Sequence, residues 1–186
     1  MQKKIGLYSG VFDPIHNGHI AFAELALQQG RVDQVYFMVE PQPRRKQNVT
    51  SLEHRLAMVE AATKDKPKLN VLSIDQPTFS ARQTLPLLQA TFPGASLCLL
   101  MGSDLFGFVE AWSDYAQLRP AVSFGVARRR SDTVDESKLV PGDWLVDSPH
   151  PHVSSSQIRS SVAASQDVLP QDAINYLVQN KLYLRD

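Results

Sequence analysis

The densest chemical signal in the chain is residues 10–19, Gly-Val-Phe-Asp-Pro-Ile-His-Asn-Gly-His. Its two imidazoles, His16 and His19, stand three residues apart, a spacing that puts side chains on one helix face. Ile5-Gly6-Leu7-Tyr8 precedes them and an amphipathic stretch, residues 20–27, follows. That order predicts strand, tight turn, helix. Gly10 and Gly18 let the backbone come close to a ligand. A helix start aims unpaired N–H groups and a partial positive charge outward, so two imidazoles placed there make a seat for a phosphate chain. A histidine pair could also ligate a metal, but neither Cys nor a further His lies nearby to complete such a site, and no protein-held metal is expected.

Val153-Ser154-Ser155-Ser156-Gln157-Ile158-Arg159 is the second stretch with chemistry in it. Ser154 and Gln157 have capping-box spacing, which predicts a helix start. Its first turn offers N–H groups and hydroxyls to an anion, and Arg159 adds a planar, permanent charge. Alone, this is an ordinary N-cap. Beside the histidine motif it reads as the other half of a polyphosphate site.

Bulk properties exclude several classes. The chain has 186 residues with 19 basic and 19 acidic side chains, a formal net charge of zero. Nothing global calls for nucleic acid or an anionic membrane surface. Cys98 is the single cysteine, so no disulfide forms within the chain, and its apolar surroundings predict a buried, inert thiol. The N-terminus lacks a signal-peptide apolar region, and no stretch approaches the ~20 apolar residues of a membrane span. A cytoplasmic setting is the default expectation.

Short apolar runs alternate with helical patterns. Strands are expected at 34–39, 69–72, 96–101 (the most apolar, hence central) and 121–127. Helices are expected from Thr50, with Glu53 at capping-box spacing, and over 82–91, stopped by Pro93-Gly94. Repeated strand–helix units predict an α/β chain with a Rossmann-like three-layer fold and a mostly parallel central sheet. Ligands in such sheets bind beyond the carboxyl ends of the strands, where the histidine motif lies. Residues 131–142 read as a mobile surface loop, and Pro149-His150-Pro151-His152 as a stiff extended connector.

With these residues in place, the chain resembles the nicotinate-nucleotide adenylyltransferase family of the HIGH-motif nucleotidylyltransferases. Gly10, Phe12, Asp13, Pro14, His16, Gly18 and His19 match the GxFDPxHxGH signature, and residues 153–159 resemble ISSTxIR with Val153 for Ile and Ser156 for Thr. Met101-Gly102-Ser103-Asp104-Leu105 followed by Trp112 resembles the family's GxD…W segment, and Leu182-Tyr183 its C-terminal ending. The resemblance implies one nucleotidylyltransferase domain over residues 1–186. It also implies adenylyl transfer from ATP to nicotinate mononucleotide, with Mg²⁺ brought in on the phosphates. His16, His19 and Arg159 would be the catalytic residues. Gly10, Val11, Phe12, Gly18, Lys46, Ser155, Ser156, Gly102 and Asp104 would bind ATP and its phosphates. Thr84, Trp112 and Arg45 would bind the acceptor. Asp13 reads as a brace for the turn rather than a metal ligand. Asp104 could instead be a helix cap, Trp112 a half-buried packing residue, and Arg44, Arg45 and Lys46 solvated surface charge.

Departures from the pattern fall on the acceptor side. Val11 replaces a hydroxyl residue. Arg45 stands where a His is usual. Of the Tyr-Thr-x-x-Thr-Leu segment only Thr84-Leu85 survives, with Ser80 and Ala81 in the first two places. The acceptor is therefore left open: another phosphate-bearing molecule, CTP in place of ATP, or a nucleotide-binding homologue without turnover. Oligomeric state is also open, a homo-oligomer included. A tRNA synthetase is disfavoured, because the chain is short and has no KMSKS-like loop.

Overall fold

The computed structural model describes residues 2–43, 48–129 and 132–183. Strands β1 (Lys4–Gly10), β2 (Gln34–Val39), β3 (Leu69–Val71), β4 (Ser96–Gly102), β5 (Val122–Arg128) and β6 (Trp144–Asp147) form one six-stranded sheet in the order β3-β2-β1-β4-β5-β6. Every pairing is parallel. The helices are α1 (Asn17–Gln28), α2 (Leu52–Thr63), α3 (Ala81–Thr91), α4 (Ser103–Phe106), α5 (Tyr115–Leu118), α6 (Ser155–Ser160) and α7 (Gln171–Gln179).

A strand covered on both faces reads as a continuous apolar run. Leu97, Cys98, Leu99, Leu100 and Met101 of β4 are accordingly all buried. Alternate residues feed two cores. Cys98 and Leu100 join Val35, Phe37, Phe22, Ala26, Met58, Val59 and Ala173 on the α1–α2–α7 side. Leu97, Leu99 and Met101 join Ile5, Leu7, Phe124, Leu85, Phe106 and Leu118 on the α3–α4–α5 side. Residue Ile158 of α6 packs with Val162, Leu169 and Leu177 in a third cluster that ties α6 to α7.

From β1 the chain winds outward to β3, returns through α3 to β4, then winds outward the other way. Such a reversal opens a crevice past the carboxyl ends of the two central strands, here β1 and β4.

Three local expectations are corrected. The cap of α2 is Ser51, whose hydroxyl accepts from His54 N–H at 3.4 Å, not Thr50. The Thr50 carbonyl is drawn instead to Arg55 Nε at 2.8 Å. Strand β6 was not anticipated: four residues at a sheet edge, specified by pairing with β5 rather than by an apolar run. Residues 149–152 turn back on themselves, Val153 N–H reaching His150 O at 3.3 Å, instead of running extended. Among the described residues no helix is long and apolar enough to cross a membrane.

Candidate active site

Strand β1 ends at Gly10, and the next residues form a tight loop before α1. Phe12 sits in the left-handed region at φ 49°, a conformation that costs a non-glycine residue about 1 kcal/mol or more. Its ring offsets this by burying itself in an aromatic cluster, edge-on to Tyr8 at 5.5 Å, to His19 at 5.0 Å and to Phe37 at 5.4 Å. A Cβ on Gly10 would stand 3.0 Å from the Phe12 ring, which explains the glycine there. With its side chain in the core, Phe12 has only its backbone to offer a phosphate.

His16 is the N-cap of α1. Its backbone N–H donates to Nδ1 of His19 at 3.3 Å, and the two rings stack with centroids 3.7 Å apart and planes 21° from parallel. His16 is buried and lies over Gly18, where a Cβ would meet its ring at 3.0 Å. Both rings thus stay at the open end of α1, side by side.

The second motif closes onto this loop. Arg159 Nη1 donates to the Asp13 carbonyl at 2.6 Å and lies 3.8 Å from the Asp13 carboxylate. Ser155 Oγ donates to the Pro14 carbonyl at 2.9 Å, and Ser156 Oγ accepts weakly from Arg159 Nη2 at 3.4 Å. The cap of α6 is Ser154, which accepts from Gln157 N–H at 3.3 Å. His16, His19, Ser155, Ser156 and Arg159 therefore gather round one loop, although some 140 residues separate the two stretches.

Asp13 is fully buried. Its Oδ1 accepts from the Tyr183 hydroxyl at 2.5 Å and its Oδ2 from Thr50 N–H at 3.4 Å. Burial, and then the bond to Asp13, push the Tyr183 phenol well above the ordinary tyrosine range. A carboxylate so engaged braces the turn. Among the described residues no group of three or more His, Cys, Asp or Glu side chains could cage a metal ion.

Two residues whose supporting role the sequence does not show, Arg55 and Tyr183, complete the loop's support. Arg55, 1 % exposed, spreads its guanidinium over four carbonyls: Thr50 at 2.8 Å, Val11 at 3.0 Å, Glu40 at 2.7 Å and Pro41 at 3.1 Å. Burial lowers its affinity for the proton, and the charge of Asp13 opposes that. Tyr183 was noted only as part of a C-terminal pattern. A lone Arg on a helix carries no sequence signal for such a role.

The β4 end supplies Gly102 and Asp104. Asp104 is exposed in the first turn of α4, whose N-cap is Gly102, and its carboxylate folds back over that glycine so that a Cβ there would collide with it. Asp104 does not cap the helix. The ring of Tyr8 touches His19 edge-on at 5.7 Å, and burial raises its phenol strongly, with smaller opposed effects of Arg129 and Asp104. The crevice between β1 and β4 is thus lined from both strands.

Two of the acceptor candidates, Thr84 and Trp112, lie among the described residues. Thr84 is fully buried, and its hydroxyl accepts from Ser80 N–H at 3.1 Å. There it supports the start of α3. Asp114 accepts from the Ser80 hydroxyl at 3.1 Å and Arg82 N–H at 3.4 Å, so this chain's own carboxylate occupies that helix start. Trp112 is half-buried against the α3–α4–α5 core. Arg45 and Lys46 lie outside the described residues.

The cytidylyltransferase-like family profile matches residues 7–161. A Lactococcus lactis protein described as "Probable nicotinate-nucleotide adenylyltransferase" is 34% identical, with 98% of this chain and 96% of that protein aligned. A Neisseria meningitidis protein with the same description is 32% identical, over 97% of this chain and 98% of its own length. The fold matches the Plasmodium falciparum nicotinic acid mononucleotide adenylyltransferase complexed with NaAD at TM-score 0.85, with 20% identity and 98% of each chain covered. The profile takes in both phosphate motifs, and the relatives align from end to end. The chain therefore belongs to the cytidylyltransferase-like family and, within it, to the nicotinate-nucleotide adenylyltransferases.

Proposed function

We propose that this chain transfers the adenylyl group of ATP to nicotinate mononucleotide, releasing pyrophosphate and forming the dinucleotide precursor of NAD. The observation that carries the reading is the closure of the Ser155–Arg159 segment onto the histidine loop. The relatives' descriptions supply the acceptor.

The acceptor's phosphate oxygen attacks the α-phosphorus of ATP. The bond from that phosphorus to the bridging oxygen of the β-phosphate breaks, and pyrophosphate takes the electron pair. The nucleophile is already an anion, so no protein base is required. What the protein must supply is alignment and relief of repulsion between two anions. His16 and His19 hold the phosphates of ATP at the start of α1. The remaining N–H groups of Arg159 and the backbone of Ser155-Ser156 receive the β- and γ-phosphates, and Lys46 adds charge from the β2–α2 segment. Gly102 and Asp104 serve the nucleotide, and Thr84, Trp112 and Arg45 the acceptor.

Mg²⁺ would enter on the triphosphate with water ligands, which need no protein cage. Bound there, the ion would neutralise phosphate charge. A reduced, cytoplasmic setting suits the buried thiol of Cys98, and one sheet shared by both main cores suits a single domain over residues 1–186.

Pyrophosphate release from ATP and Mg²⁺ with nicotinate mononucleotide is the direct test, with nicotinamide mononucleotide, phosphopantetheine and CTP as comparison arms. The expected result is turnover with ATP and nicotinate mononucleotide at least tenfold faster than with any other pair. Binding of ATP without product from any acceptor would leave a nucleotide-binding homologue.

A further inference from the structure

We infer that Arg55 is a positioning residue for the phosphate-binding loop, acting through the backbone rather than on substrate. The inference rests on the adenylyl-transfer reading for its kinetic consequence, but its physical content stands apart from the acceptor's identity.

A buried cation is costly unless its donors are fully used. Arg55 is 1 % exposed, and no carboxylate oxygen lies within ion-pair reach of it among the described residues. Its compensation comes from the four carbonyls of Val11, Glu40, Pro41 and Thr50. A packed apolar residue would fill this space without any desolvation penalty. The arrangement makes sense if the loop's geometry is what the site needs.

The carbonyls come from three segments: the histidine loop, the exit of β2 and the entry to α2. The guanidinium fork is rigid and planar, so it fixes these three relative to one another. Val11 immediately precedes the strained Phe12. Just beyond it, the Asp13 and Pro14 carbonyls are held by Arg159 and Ser155. Three of four consecutive peptide oxygens are thereby fastened to side-chain donors. A carbonyl free to swing toward a polyphosphate would repel it. Arg55 is the one member of this set that sits wholly behind the site and has no surface from which to touch ATP.

The test uses the full chain and two variants, Arg55→Ala and Arg55→Lys. The first readout is amide hydrogen exchange of peptides spanning 10–16, compared with peptides from β4 and α7. Arg55→Ala is expected to raise exchange in 10–16 about tenfold while β4 stays protected. Methylguanidinium at tens of millimolar should reverse the change, since it refills the vacated seat. Arg55→Lys, with charge but no fork, should recover less than the added guanidine does. The second readout is calorimetric binding of a non-hydrolysable ATP analogue, weakened about tenfold or more in Arg55→Ala and restored by methylguanidinium. With nicotinate mononucleotide, kcat/KM should fall about 10²-fold, the scale of small misplacement. Exchange that rises uniformly across the chain, or fails to respond to methylguanidinium, would overturn the inference and leave Arg55 a general stabiliser. An inactive wild-type enzyme would sink the adenylyl-transfer reading alone, because the exchange result needs no turnover.

Discussion

The Arg159 guanidinium and the Asp13 carbonyl meet at 2.6 Å across 146 positions of sequence. A planar cation that could serve a departing pyrophosphate is thereby also part of the wall of the histidine loop. One side chain has two tasks, and they can be separated. Arg159→Ala should lower kcat/KM for ATP by about 10²–10³-fold, the scale for losing one preorganised charge donor. Arg159→Lys keeps a point charge but loses the fork, so it should restore nucleotide binding better than turnover. Steady-state kinetics with thermal melts decide it: a stability loss with unchanged kcat and KM would make Arg159 structural only.

His19 likewise has two tasks. Its Nδ1 accepts the His16 backbone N–H, and its ring stacks on its neighbour. His19→Ala should slow turnover about 10²-fold or more and also cost about 1 kcal/mol of stability through loss of the cap. His19→Asn retains a short acceptor for the N–H and should recover stability without recovering rate. Rapid-quench turnover alongside urea melts measures both. Full activity in either folded variant would remove His19 from the chemistry.

Much of this architecture could be read from the chain. The strands at 34–39 and 96–101 announce themselves because apolar runs covered on both faces have no other use, and residues 10–19 carry a helix start in their own composition. What stayed hidden depends on distant partners. Strand β6 exists because β5 pairs with it. Thr50 loses the capping role to Ser51 because Arg55 takes its carbonyl. The Thr84 hydroxyl accepts from Ser80 N–H at the start of α3, a contact that no motif announces. Arg55 lies in an ordinary helical pattern, and only the fold shows that three loops converge on it.

Tyr183 gives the fold a dependence on alkali. Burial and the Asp13 carboxylate raise its phenol above its ordinary value, about 10 in an unfolded chain. A raised folded value means stability that is whole below about pH 10 and lost as pH climbs from there. Tyr8, also raised by burial, adds in the same direction. Tyr183→Phe leaves the buried Asp13 short of a donor, which should cost about 1–3 kcal/mol at pH 7. Near pH 10.5 wild type has lost part of its advantage while the variant has no phenol at that position to ionise, so the gap should narrow. Urea midpoints at the two pH values test this, and an unchanged gap would show that the tyrosine–aspartate bond carries no such linkage.

Gly125 offers a control in which the core is damaged and the site spared. The Trp144 indole lies across β5 where a Gly125 side chain would be, so that an added Cβ collides with its ring. The indole is also held from the other side, tilted on Phe22 at 5.7 Å with Arg31 5.9 Å from the ring centre. It therefore has no easy retreat. Overpacking of this kind costs about 1–3 kcal/mol, which in a chain of this size lowers the melting temperature by roughly 2–4 °C per kcal/mol. Gly125→Ala should accordingly melt several degrees lower, yet neither Phe22 nor Trp144 is a partner in the hydrogen bonds that join the histidine loop to Arg159 and Ser155. At 20 °C its kcat and KM should equal those of wild type. Pairing it with Trp144→Phe, which frees space beside the new methyl, should recover part of the loss. If the double variant were no more stable than the sum of the singles predicts, the collision would not be the cause of the instability.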